Sequence, residues 1–258
     1  MLSNNSALIN ENDRKRASMK NLSLVAKVYI LSTVLVAFGL TIWMLIKPDW
    51  SNAGVYVLAA LGGIAQTLKI EGPNDKTNYS IAWFVYGFTL IGFGPISALF
   101  VVVVSHLVEW MWHKYPWYIQ SFNIGAHGLP IFLAGLIFAT VSRESRGLDL
   151  DLALGMVIAN LVFVFGNHFL VGCVVKLARG RTIAETGVFE FLTLFLDFTV
   201  LSMGSVTALL WQYNPFTAVL NILPLYLLYS ALRVPALKRQ LYEMKVTMAQ
   251  VKLPASGD

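Results

Sequence analysis

SIAWFVYGFTLIGFGPISALFVVVVSHLVEWMW, residues 80–112, is the stretch on which the fold turns. It is apolar throughout, too long for one ordinary membrane span of about 17–25 residues and short for two. Gly94-Pro95 lies near its middle, and proline breaks a helix interior by removing an N–H and crowding the preceding turn. The reading is a short helix, a tight Gly92-Phe-Gly-Pro95 corner, and a second helix.

Working outward, six more apolar or lightly punctuated elements appear, so the expected spans are roughly 24–46, 53–70, 80–93, 95–112, 119–141, 152–175, 188–211 and 215–232. Cytoplasmic loops of membrane proteins carry an excess of Lys and Arg. With the N-terminus inside and eight alternating spans, only Lys47, Arg143 and Arg146 fall outside, and 16 of the 19 Lys and Arg fall inside. Merging 80–112 into one span would put Lys176, Arg179, Arg181 and the C-terminal tail outside. Trp50, Trp110, Trp112, Trp117, Tyr118, Trp211 and Tyr213 fall near span ends, as interfacial aromatic residues do. The expected fold is all-α: a polytopic membrane bundle of about eight helices with both termini cytoplasmic, placed in the inner (cytoplasmic) membrane. Residues 1–22 form a polar N-terminus, 23–232 the membrane domain, 233–252 a cytoplasmic amphipathic helix and 253–258 a disordered tail. The longest loop, 71–79, reads as a solvated turn.

Composition agrees. The 258 residues are 57% hydrophobic and 13% charged, whereas soluble domains carry about 25% charged residues. The net charge of +5 sits at the ends of apolar runs, so a nucleic-acid partner is not indicated and the first partner is the lipid bilayer. Cys173 is the single cysteine, which leaves no intrachain disulfide and no thiolate metal cluster. The first apolar run is too long for a signal-peptide core and no small-residue cleavage site follows it.

An ionisable side chain inside a span costs about 2.5–3.5 kcal/mol on insertion scales and is a functional candidate by default. Counting about 1.5 Å per residue from the cytoplasmic helix ends puts His106 at about 9 Å, His127 at about 12 Å and His168 at about 10 Å. Asn123, Asn167 and Asp197 fall near the same layer, with Glu109 and Glu190 closer to the surface. The candidate ligand-binding set is therefore His106, Glu109, Asn123, His127, Asn167, His168 and Asp197. His106, His127 and His168 are the candidate metal ligands, since imidazole binds zinc, copper, iron and haem iron. No cofactor is named by any spacing. The plain alternative is interhelical hydrogen bonding, which joins membrane helices without binding anything. Asp197 reads equally as a proton or cation site and as the partner of His168 or an Asn. Gly62-Gly63, Gly125 with Gly128, and Gly135 read as helix-packing positions. No catalytic motif is visible, and a Ser-His-Asp set cannot be built from spacing alone.

In the C-terminal segment, Pro235 is well placed to start a helix. Val234, Leu237, Leu241, Met244, Met248 and Val251 recur at steps of 3, 4, 3, 4, 3, a heptad seam. Leu237, Leu241, Met244, Met248 and Val251 are the expected dimer or partner contacts. The alternative is a basic amphipathic helix on the membrane surface.

Three stretches carry a resemblance: Gly94-Pro-Ile-Ser-Ala-Leu99, Lys114-Tyr-Pro-Trp-Tyr-Ile-Gln-Ser-Phe-Asn123, and Pro224-Leu-Tyr-Leu-Leu-Tyr-Ser-Ala-Leu-Arg-Val-Pro-Ala-Leu237. With Gly166-Asn167 and a basic Gly-Arg turn between them, residues 50–240 resemble the N-terminal membrane module of bacterial sensor proteins fused to HD-GYP phosphodiesterase, diguanylate cyclase or kinase domains. The resemblance implies a sensory or scaffolding module whose last span runs into a dimeric helix. It implies an output that is missing, truncated or supplied by another polypeptide, since no HD-GYP, cyclase or kinase motif follows. The expected partner is thus a second copy or another membrane or signalling protein. A small-molecule transporter, or its substrate-binding subunit, and a cofactor-bearing subunit are the other classes the buried polar layer suits.

Overall fold

A computed structural model describes residues 19–46, 52–71, 78–143, 147–180 and 182–252. The expected polar N-terminus (through 18) and tail (253–258) lie outside the described residues. The chain is all-α but for one small hairpin. After a 3-10 turn at Met19–Asn21 come α1 (Leu24–Ile46), α2 (Ala53–Thr67), strands β1 (Ile70–Glu71) and β2 (Asn78–Tyr79), α3 (Ala82–His113), α4 (Trp117–Val141), α5 (Leu150–Arg179), α6 (Phe191–Tyr213), α7 (Pro215–Leu220) and α8 (Ile222–Lys252). Among the described residues, six helices are long and apolar enough to cross a membrane, which makes this a multi-pass membrane protein. Helix α2, at 15 residues, is shorter.

Local chemistry sets the helix ends. Asn52, Asp149 and Asn214 cap α2, α5 and α7 by accepting N–H bonds from Gly54, Leu152 and Phe216, each satisfying a donor the first turn leaves unpaired. Asp151 stands in the first turn of α5 and Lys176 and Arg179 in the last, the charge order the helix dipole favours.

Helix α3 is one run of 32 residues in name only. Gly94 has φ 84° and ψ 177°, a backbone region open essentially to glycine alone. It divides α3 into arms over 82–93 and 95–113. The arms lie side by side: a Cβ added to Gly62 would meet Val85, Val101 and Ser105 together, and Val85 and Val101 would stand about 24 Å apart in a straight helix. Gly135 likewise faces both Leu90 and Pro95. The Gly-Phe-Gly-Pro corner expected from sequence is therefore a fold-back.

The core lies where α3 meets α2, α4 and α6, with α5 packed against α4. Tyr86, Leu90, Val101, Val102, Phe163 and Leu201 are among its buried members. A Cβ on Gly204 would run into the Phe84 carbonyl, and one on Gly87 into the Leu201 carbonyl, so the first arm and α6 approach at backbone distance. Such small-residue contacts drive helix association in lipid, where the hydrophobic effect is spent. Asn160 on α5 bridges the two serines of α6, donating to Ser202 Oγ and accepting from Ser205 Oγ, both at 3.1 Å.

Two expectations change. The 71–79 loop is not simply a solvated turn: Ile70 pairs with Tyr79 and Glu71 with Asn78 in an antiparallel ladder, and Ile70 and Tyr79 are buried. Alternation along a strand sends successive side chains to opposite faces, so a two-residue strand can anchor one apolar side chain while exposing its neighbour. Nor does a helix begin at Pro235: α8 runs unbroken from Ile222 to Lys252, its span and extension forming one rod. Leu237, Leu241 and Met244 are exposed along it; the side chains of Met248 and Val251 lie outside the described residues.

Replacing Gly94 with Ala is expected to cost about 1–3 kcal/mol, the strain of a side chain in that backbone region. Unfolding in mixed micelles measures it, and an unchanged midpoint would show that the corner tolerates a Cβ.

Candidate functional site

The fold-back brings Trp83 on the first arm and His106 on the second to one level, against His127 on α4. The His106 and His127 rings are 4.6 Å apart, and Trp83 lies 5.8 Å from His127 and 6.0 Å from His168 on α5. The three histidines predicted to share a depth therefore do share one neighbourhood. Two polar constellations divide them.

The first centres on Glu109, 0% exposed. Its Oε2 accepts amide N–H bonds from Gln66 and Gln120, each 3.2 Å, and lies 2.9 Å from His106 Nδ1. Its Oε1 is ion-paired with Lys69. Ser80 Oγ donates to Gln66 Oε1 at 2.9 Å, and Gln120 also donates to the His106 carbonyl. One carboxylate thus ties together α2, the hairpin, the second arm of α3 and α4. The sequence placed Glu109 nearer the cytoplasmic end of its helix than His106 and kept it in the candidate set; within the protein it stands at the centre of this network. Two of its four partners are neutral amides, and Gln66 and Gln120 carry no charge to mark them.

The second pairs His168 with Asp197 on α6, Nε2 to Oδ2 at 2.9 Å, the partnership weighed for Asp197 from sequence. Asn167 Nδ2 donates to the Ala126 carbonyl at 3.0 Å and His127 Nδ1 donates to the Asn123 carbonyl at 2.9 Å. Asn123 itself departs from expectation. Its side chain faces a different groove, of about 260 Å³, beside Leu22, Tyr118, Phe122 and Arg179.

A cavity of about 220 Å³ lies against this second constellation, with Trp83, His127, Asn167, His168, Thr193 and Asp197 in its wall and Lys69, Asn78 and Ser80 of the hairpin end beside them. His168 Nδ1 and Thr193 Oγ1 are buried there with no hydrogen-bond partner. The threonine has a local cause. Thr33, Thr41, Thr89, Thr140, Thr199 and Thr207 each bond the carbonyl four residues back. Thr193 is the third residue of α6, so four residues back is Phe189, before the helix begins.

As for a metal, among the described residues no group of three or more His, Cys, Asp or Glu is arranged to hold one. His106 is committed to Glu109 and His168 to Asp197, so the shared depth of the histidines does not make a ligand set. The arrangement suits recognition of a polar molecule by hydrogen bonds.

No protein-family model, curated protein or solved structure matches the chain.

Breaking a buried ion pair by removing one partner costs about 3–5 kcal/mol, because the other charge is stranded. Lys69→Met is expected to approach that loss, since it strands the fully buried Glu109 carboxylate, while Glu109→Ala leaves behind only the partly exposed Lys69 and should cost less. Unfolding midpoints of the two variants compare them directly; equal, small effects would show that the network is dispensable.

Proposed function

We propose that this protein is a sensory or scaffolding module of the membrane: a small ligand occupies the polar cavity, and α8 carries its state to a second copy or a signalling partner through residues 233–252. One observation carries this reading. The strand alternation of β1–β2 puts Asn78 and Ser80 beside the cavity, with Lys69 just before the ladder. The intervening Ile70 and Tyr79 pack with Leu196 of α6 against Leu228, Tyr229 and Leu232 of α8. The hairpin therefore touches the cavity with one face and the last helix with the other. Because α8 is unbroken into the C-terminal segment, a shift at Leu228 is transmitted along a rod.

The resemblance of residues 94–99, 114–123 and 224–237 to the membrane module of bacterial signalling proteins supports the same role, as does the heptad spacing of Leu237, Leu241 and Met244. The charge distribution supports eight crossings in an inner membrane, with the two arms of α3 counted separately and both termini cytoplasmic.

Two measurements test this. In a Cys173→Ser background, cysteine at Leu241 is expected to crosslink to its counterpart in a second copy, and adding Tyr79→Ala should change the yield several-fold. A yield indifferent to Tyr79 would disconnect the hairpin from the output helix. Cysteine at Gly147, where added atoms meet open space, should react with impermeant reagents only from outside; reaction from the cytoplasmic side would invert the topology.

A further inference from the structure

We propose that the ligand of the cavity is a small uncharged molecule bearing hydroxyl or amide groups, recognised by His168 Nδ1 and Thr193 Oγ1. The inference rests on the reading of the cavity as a ligand site and goes on to name the class of molecule.

Charge is the first argument. Among the described residues lining the cavity, the ionisable groups of opposite sign are already matched within the protein. Lys69 is ion-paired with Glu109, and Asp197 is hydrogen-bonded to His168, whose imidazole supplies the opposite charge when protonated. An anion entering beside Lys69 competes with a fully buried carboxylate that would be left unpaired. A cation beside Asp197 competes with the imidazole in the same way. Stranding a buried charge is among the most costly changes a protein interior suffers. An ion therefore loses its hydration without finding a free countercharge, whereas a neutral polar molecule leaves both pairs intact.

The second argument is what remains unsatisfied. His168 is 5% exposed and Thr193 is 2% exposed, and one polar atom of each has no partner. Buried polar atoms are nearly always hydrogen-bonded, so these two positions specify where a ligand's polar atoms belong. A hydroxyl both donates and accepts, and a ring nitrogen does either according to tautomer. Hydroxyl and amide groups have the matching versatility. Thr193 and Asp197 are four residues apart on α6, hence on one helix face, which puts the free hydroxyl next to the His168–Asp197 pair. Trp83, Val171 and Val188 supply apolar wall for the carbon skeleton. Ser80 is occupied by Gln66, and the Asn167 amide N–H by the Ala126 carbonyl.

Three molecules of nearly one shape isolate the effect of charge: acetamide, acetate and acetamidinium. Saturation-transfer NMR on the full chain in nanodiscs reads the methyl signal of each, with erythritol as a hydroxyl-bearing fourth probe. Acetamide and erythritol are expected to take up saturation. Their binding should weaken about tenfold in Thr193→Val and in His168→Phe, the loss of about one hydrogen bond. Thr193→Ser, which keeps the hydroxyl, should bind as the unaltered chain does. Preferential binding of acetate or acetamidinium with the same dependence on Thr193 would overturn the neutral-ligand inference while leaving the cavity a ligand site. Saturation of no probe, or saturation indifferent to both variants, would mean that the cavity holds water only, and both readings would fall.

Discussion

Gly94 is the constraint from which the rest of the arrangement follows. Were residues 82–113 a straight helix, Trp83 and His106 would stand about 35 Å apart, at 1.5 Å per residue. Folded back at Gly94, they approach the same imidazole of His127 from two sides. The fold-back also lets α2 lie against both arms at once, with Gly62 giving room for Val85, Val101 and Ser105. Both the aromatic wall of the cavity and the Glu109 network depend on that level alignment. Pro95 directly after the glycine reinforces the break, because it offers no N–H to continue a helix across the corner.

The placement of charge is a second, related economy. In lipid an unpaired ionic group is expensive, and each buried acid described here has an internal partner. Glu109 is surrounded by Lys69, His106 and two amides, and Asp197 by His168. Apart from that of His106, which shares an arm of α3 with Glu109, these contacts cross between elements, so they hold the bundle at the same time as they neutralise it. They also explain why the cavity wall is polar without a free charge. Of the buried polar atoms left without a hydrogen bond, His168 Nδ1 and Thr193 Oγ1 lie on α5 and α6, where those helices meet the cavity.

Much of the fold was legible in the sequence because apolar run length and proline position are strong local signals. The Gly94 corner and the apolar helices came directly from them. The level of His106, His127 and His168 was legible too, since helix rise is uniform. What depth could not supply was azimuth. Asn123, expected in the same layer, faces another groove, whereas Glu109 turns into the network of α2 and α4. The β1–β2 hairpin escaped because two-residue strands leave almost no periodicity to read, and Pro235 suggested a helix start where tertiary structure holds one continuous helix. Gln66, Gln120 and Thr193 escaped because neutral polar residues are common in membrane helices as packing glue. Only their partners, or the want of one, distinguish them.

The hairpin shows how little structure is required to couple two regions. Its short ladder buries Ile70 and Tyr79 against α6 and α8, while Asn78 and Ser80 stand toward the cavity. Because side chains alternate along a strand, displacing one face displaces the other, and no long lever is needed. The span portion of α8 is otherwise sparsely buried, with Ile222, Leu223, Tyr226 and Leu227 exposed. Few competing contacts therefore fix its position against the bundle. A helix held chiefly through Leu228, Tyr229 and Leu232 takes its position from whatever those residues touch. Here that is the hairpin and Leu196, one residue from the Asp197 that binds His168. The cavity wall and the anchor of the last helix are thus adjacent positions on α6 as well as opposite faces of one hairpin. Both routes lead from the same polar pair to the same three residues of α8.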